Sequence, residues 1–75
     1  MTDKEWNTLC EWTKEKELKE LMVTPLFIGE CIELYIEETN TTITFYKNGM
    51  VIVDGKVIKN NLKQAEIKSI IENLS

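Results

Sequence analysis

The chain contains no histidine and no arginine. Without histidine it loses both the commonest general base near neutral pH and the commonest metal ligand. Neither of the two cysteines, nor any of the eight threonines, then has an imidazole to activate it as a nucleophile. Without arginine it lacks the side chain that forks onto carboxylates, phosphates and guanine edges. A net charge of −4 and a pI near 4.8 also argue against nucleic acid as a partner. No apolar run approaches the ~20 residues of a membrane-spanning helix. The opening MTDKEW lacks the basic-then-apolar order of a secretion signal. The expectation is a soluble, cytoplasmic protein without a membrane partner. Its Cys10 and Cys31, which have no CxxC spacing, should be reduced, small hydrophobic residues, and no metal or cofactor is expected.

Seventy-five residues make one domain, spanning 1–75. At this size a single core only just outweighs the entropy of the chain, so nearly every apolar side chain has to be buried and an open apolar surface needs a reason. The charge is unevenly spread. Residues 1–38 hold four lysines against ten acids, leaving −6, and residues 39–75 hold five against three, leaving +2.

Thr2-Asp3-Lys4-Glu5 reads as a capping box, which starts a helix at about Asp3. Trp6, Leu9, Cys10 and Thr13 recur on one face, and Glu15/Lys19 and Lys16/Glu20 are i,i+4 pairs that carry the helix to about Leu21. Leu18, Leu21 and Met22 point roughly 130° away from that face, so the helix bends or its two ends bury against different things. Trp12 lies off both stripes and is a candidate aromatic anchor for a partner. The single proline, Pro25, ends any helix and favours an extended Thr24.

Strands follow, read as 27–37, 41–47, 50–54 and 56–59. Period-two alternation marks the first, and Asn48-Gly49 and Asp54-Gly55 are two-residue hairpin signals. Asn61, with Gln64 three residues on, reads as the N-cap of a second helix whose Ile67, Ile70, Ile71 and Leu74 form one apolar face. The fold class expected is α+β: an N-terminal helix, a four-stranded antiparallel meander, and a C-terminal helix packed on one sheet face.

Tight turns fix register, so the sheet can be drawn. Two-residue turns at 48–49 and 54–55 pair Phe45 with Ile52 and Ile52 with Val57, and a tight turn at Thr39-Asn40 puts Leu34 opposite Phe45. One face then carries Ile32, Leu34, Ile36, Ile43, Phe45, Met50, Ile52 and Val57, and is the expected core. The other carries Cys31, Glu33, Tyr35, Glu37, Thr42, Thr44, Tyr46, Val51, Val53, Lys56 and Ile58. Its middle is too apolar for an ordinary solvent face. It could be covered by the end of the first helix, a second copy of the chain, or a different protein. It could also be open, because valine and threonine simply form good strands.

Glu33 and Glu37 share that face and could serve acid/base work or hold a hard cation. With no aspartate cluster and no glycine-rich phosphate loop, charges at the margin of a sheet are the simpler reading, and no catalytic site is expected. Lys14, Lys16 and Lys19 each have a glutamate neighbour, unlike a phosphate-binding stripe. The segment ITFYKNGMVIVDGKVI resembles the central hairpins of SEP domains, adaptor modules, over about a fifth of the chain. That resemblance lies in hairpin spacing alone and carries no function across. An excess of Ile, Lys, Asn and Glu without Arg matches an AT-rich genome, such as that of a bacterium or its phage.

The function expected is that of a small non-enzymatic protein-binding factor, an inhibitor or regulator that occludes a partner's surface. Its candidate contact residues are Trp12, Glu33, Tyr35, Glu37, Tyr46, Val51, Val53 and Ile58. The competing expectation is a homo-oligomeric structural protein, a homodimer in the simplest case, that uses the same face as its subunit contact. An acidic mimic of nucleic acid is a minor variant.

Overall fold

The computed structural model describes residues 1–19 and 24–74. Helix α1 (Asp3–Lys19) is followed by β1 (Thr24–Ile28), β2 (Cys31–Ile36), a 3-10 turn (Glu37–Thr39), β3 (Thr41–Tyr46), β4 (Val51–Val53), β5 (Lys56–Lys59) and helix α2 (Gln64–Glu72). The five strands form one antiparallel sheet in sequential order. The α+β architecture is as expected, with one strand more.

The start of α1 follows its capping box. Thr2 N–H donates to Glu5 Oε1 at 2.9 Å, and Glu5 N–H donates to Thr2 Oγ1 at 3.1 Å. Trp6, Leu9 and Thr13 are buried and Cys10 is half-buried. The Thr13 hydroxyl donates to the Leu9 carbonyl at 2.8 Å, so its burial leaves no polar atom unpaired. The second stripe, Leu18, Leu21 and Met22, lies outside the described side chains.

The extra strand comes from dividing the expected 27–37 segment. Gly29-Glu30 is a two-residue turn that pairs Ile28 with Cys31, and Gly29 holds the positive φ (55°) that such a turn needs at its first central position. Pro25 sits within β1 on the outermost strand, where a missing N–H is tolerated.

Two of the drawn registers change, with different consequences. Between β2 and β3 the loop is longer than a tight turn: the 3-10 turn and a left-handed Asn40 (φ 52°) shift the pairing by two residues, giving Leu34 opposite Ile43 and Ile32 opposite Phe45. A shift of two keeps every side chain on its face, so Ile32, Leu34, Ile43 and Phe45 are core as expected. Between β3 and β4 the loop is Lys47-Asn48-Gly49. Gly49 N–H donates to the Tyr46 carbonyl at 2.8 Å, Tyr46 N–H to the Met50 carbonyl at 2.9 Å, and Gly49 carries φ 91°.

This three-residue loop pairs Phe45 with Val51 and Thr44 with Ile52, a shift of one. Every side chain of β4 therefore changes face. Val51, expected on the open face, is 1% exposed in the core, and Val53 packs half-buried against that core. Ile52 and its partner Val57, expected in the core, lie on the other face. Asp54-Gly55 is the expected turn, with positive φ at both residues (47° and 85°), but a bulge then pairs Val51 with Lys59 instead of Ile58.

Helix α2 begins two residues later than expected. Asn61 takes a left-handed conformation (φ 57°) and Lys63 is the N-cap, its N–H donating to Glu66 Oε1 at 3.0 Å. Ile67 and Ile71 are buried, with Ile70 and Leu74 packed against the core. The helices meet through Gln64 Nε2, which donates to the Glu5 carbonyl at 2.8 Å, and through Trp12, whose ring has Lys68 Nζ 5.5 Å and Lys16 Nζ 5.7 Å from its centre. One core thus contains Trp6, Leu9, Ile32, Leu34, Ile43, Phe45, Val51, Ile67 and Ile71.

Candidate functional site

Because both helices pack into that one core, the other face of the sheet is where partly exposed apolar side chains collect. The registers place them in rows. One row reads Leu26, Glu33, Thr44, Ile52 and Val57 across all five strands. A second reads Ile28, Cys31 and Tyr46, and a third Tyr35 and Thr42. Leu26 is 53% exposed, Ile28 55%, Tyr35 41% and Val57 52%, so four large apolar or aromatic groups of this face stand open.

The two edges of the sheet are poor docking rails by comparison. On one side β1 carries Pro25, and on the other β5 is short, bulged and flanked by Lys56 and Lys59. Such features discourage strand addition. The face is therefore the better contact surface.

The expected contact residues divide. Glu33, Tyr35 and Tyr46 lie together on the face. The Tyr35 hydroxyl donates to Asn40 Oδ1 at 2.8 Å, which holds the ring at the end of the face nearest the 3-10 turn. Glu37 starts that turn instead of continuing β2, so it and Glu33 do not form a carboxylate pair on one strand. Val51 and Val53 belong to the core side. Ile58 is 54% exposed on the edge strand at the bulge. Trp12 is half-buried against the core between the helices, away from the face.

Sequence reasoning missed Leu26, Ile28, Ile52 and Val57. For Leu26 and Ile28 the signal was Gly29, a glycine at the first central position of a turn, which folds β1 beside β2. For Ile52 and Val57 no local signal separated a two-residue from a three-residue loop at Asn48-Gly49.

Lys47 ties the other end of the molecule together. Its ammonium bonds Asp3 at the start of α1 and Glu30 Oε2 at 3.0 Å in the first hairpin turn. The Asp3 carboxyl lies below its ordinary range through the hydrogen bond and charge of Lys47, and the Lys47 amine is raised by Asp3 and then Glu30. Burial pushes the Cys10 thiol up. Among the described residues no group of three or more cysteines, aspartates and glutamates could hold a metal ion, and no helix is long and apolar enough to cross a membrane. Compared with known proteins, the chain matches no family model, no curated protein and no solved structure.

Proposed function

We propose that this chain is a small non-enzymatic protein-binding factor that docks through the open sheet face and occludes the surface of a partner. One observation carries the reading: Leu26, Ile28, Tyr35 and Val57 stand open on the side of the sheet away from the core. A small chain that must bury nearly all its apolar surface to fold gains nothing for stability by leaving these side chains in water.

The test uses the protein's two thiols. Cys31 lies on the face and Cys10 on α1, packed against the core, so a Cys10→Ser chain carries one reporter inside the proposed interface. Wild type and a Leu26→Ser/Val57→Ser variant serve as baits in cells of the source organism. The expected result is a partner captured by wild type and lost by the variant, with Cys31 protected from alkylation in the complex. Equal capture by a folded variant would overturn the reading. Solution mass across a wide concentration range is measured in parallel, and a dimer that protects Cys31 by itself would assign the face to a second copy.

A further inference from the structure

The open face has a carboxylate near its middle. Glu33 faces Leu26 on β1 and Thr44 on β3, has Cys31 and Tyr35 as neighbours along its own strand, and has Ile28 and Tyr46 on the diagonals. It is already half-buried, and among the described residues it makes no ion pair or hydrogen bond. Among the described side chains no lysine belongs to this face. Lys56 and Lys59 pair with Val53 and Val51, whose side chains turn to the core, and Lys47 is held by Asp3 and Glu30.

Anything that covers the apolar side chains around Glu33 also strips water from it. An unpaired carboxylate in such a contact is strongly unfavourable, and a paired one gives specificity. A second copy of this chain would bring another Glu33 and, among the described side chains of the face, no cation, burying two uncompensated charges. Glu37, Glu38 and Asp54, at the end of the face beyond Tyr35 and Thr42, add charge of the same sign. Resting on the docking reading above, we infer that the occupant is a different protein that presents a lysine or arginine within its own apolar patch, and that Glu33 receives that cation.

The probes are three short amphipathic helical peptides with one apolar stripe, identical except for lysine, leucine or glutamate at its centre. Each is titrated against wild type, Glu33→Gln and Glu33→Lys, with alkylation of Cys31 in the Cys10→Ser background reporting where it binds. The lysine peptide should bind wild type at least about tenfold more tightly than the glutamate peptide. Glu33→Gln should abolish that preference and Glu33→Lys reverse it, while Cys31 is protected throughout. If Glu33→Lys does not fold, loss of preference in Glu33→Gln decides the matter. Binding that protects Cys31 but ignores peptide charge would overturn the role of Glu33 and leave the docking face standing. Binding by none of the three, or a wild-type dimer that protects Cys31 without peptide, would overturn both.

Discussion

Gly49 lies directly against Leu62: the Leu62 N–H donates to the Gly49 carbonyl at 2.9 Å, and a Cβ on Gly49 would stand 2.6 Å from both the nitrogen and the oxygen of Leu62. The contact joins the β3–β4 loop to the segment leading into α2, so the fold depends on a missing side chain here. Gly49→Ala adds a backbone clash to the strain of φ 91°. We expect a loss of about 2–4 kcal/mol, against about 1 kcal/mol for Gly29→Ala and Gly55→Ala, whose surroundings are open. Urea midpoints of the three variants check the order.

The one-residue shift of β4 makes neighbouring valine and isoleucine behave oppositely. Val51→Ser puts a hydroxyl in the core and should cost about 2–4 kcal/mol. Ile52→Ser, on the open face, should cost about 1 kcal/mol or less and weaken partner binding instead. Thermal melts paired with the binding assay separate the two. The reverse order would restore the two-residue turn.

Stability should fall in acid because of the first turn of α1. The Asp3 carboxyl is held below its ordinary 3.8 by Lys47, and that of Glu5 below 4.5 by the Thr2 N–H and hydroxyl. A carboxyl depressed in the folded state stabilises it fully above the unfolded pKa and loses that effect as pH falls through the folded value. The melting temperature should therefore drop as pH falls below about 4.5, and Asp3→Asn should flatten part of the slope. Lys47, raised above 10.5, works in the opposite sense: its contribution is complete below that value and lost as pH rises past the folded pKa. Melts of Lys47→Met at alkaline pH should show no such loss.

The Cys10 thiol, pushed up by burial, should alkylate more slowly in the folded protein than after unfolding in urea at the same pH. Peptide mass mapping after timed alkylation gives the rate, and equal rates in both states would show that α1 does not shield it.

Much of the architecture was legible from local signals. The capping box at Thr2 and Glu5, the Trp6-Leu9-Thr13 stripe, the Asp54-Gly55 turn and the Ile67/Ile71 face each concern residues a few positions apart, whose geometry short-range hydrogen bonds and helical periodicity set. Even the wrong loop at residues 37–40 did no harm to the core assignment of Ile32, Leu34, Ile43 and Phe45, because its error in register was even. The candidate site fared worse. An odd error at Lys47-Asn48-Gly49 exchanged Val51 and Val53 for Ile52, and an unread turn at Gly29-Glu30 hid Leu26 and Ile28.

The sequence by itself determined a small acidic chain of α+β pattern without histidine or arginine, with apolar residues on both faces of its strands. Only the tertiary structure decided which of them are left over. The Asn48-Gly49 pair suits either loop length, and the observed one comes with the distant Leu62 N–H on the Gly49 carbonyl. With that loop, strand alternation turns Val51 inward and Ile52 outward, and Glu33 stands between Leu26 and Thr44 without an ion pair among the described residues.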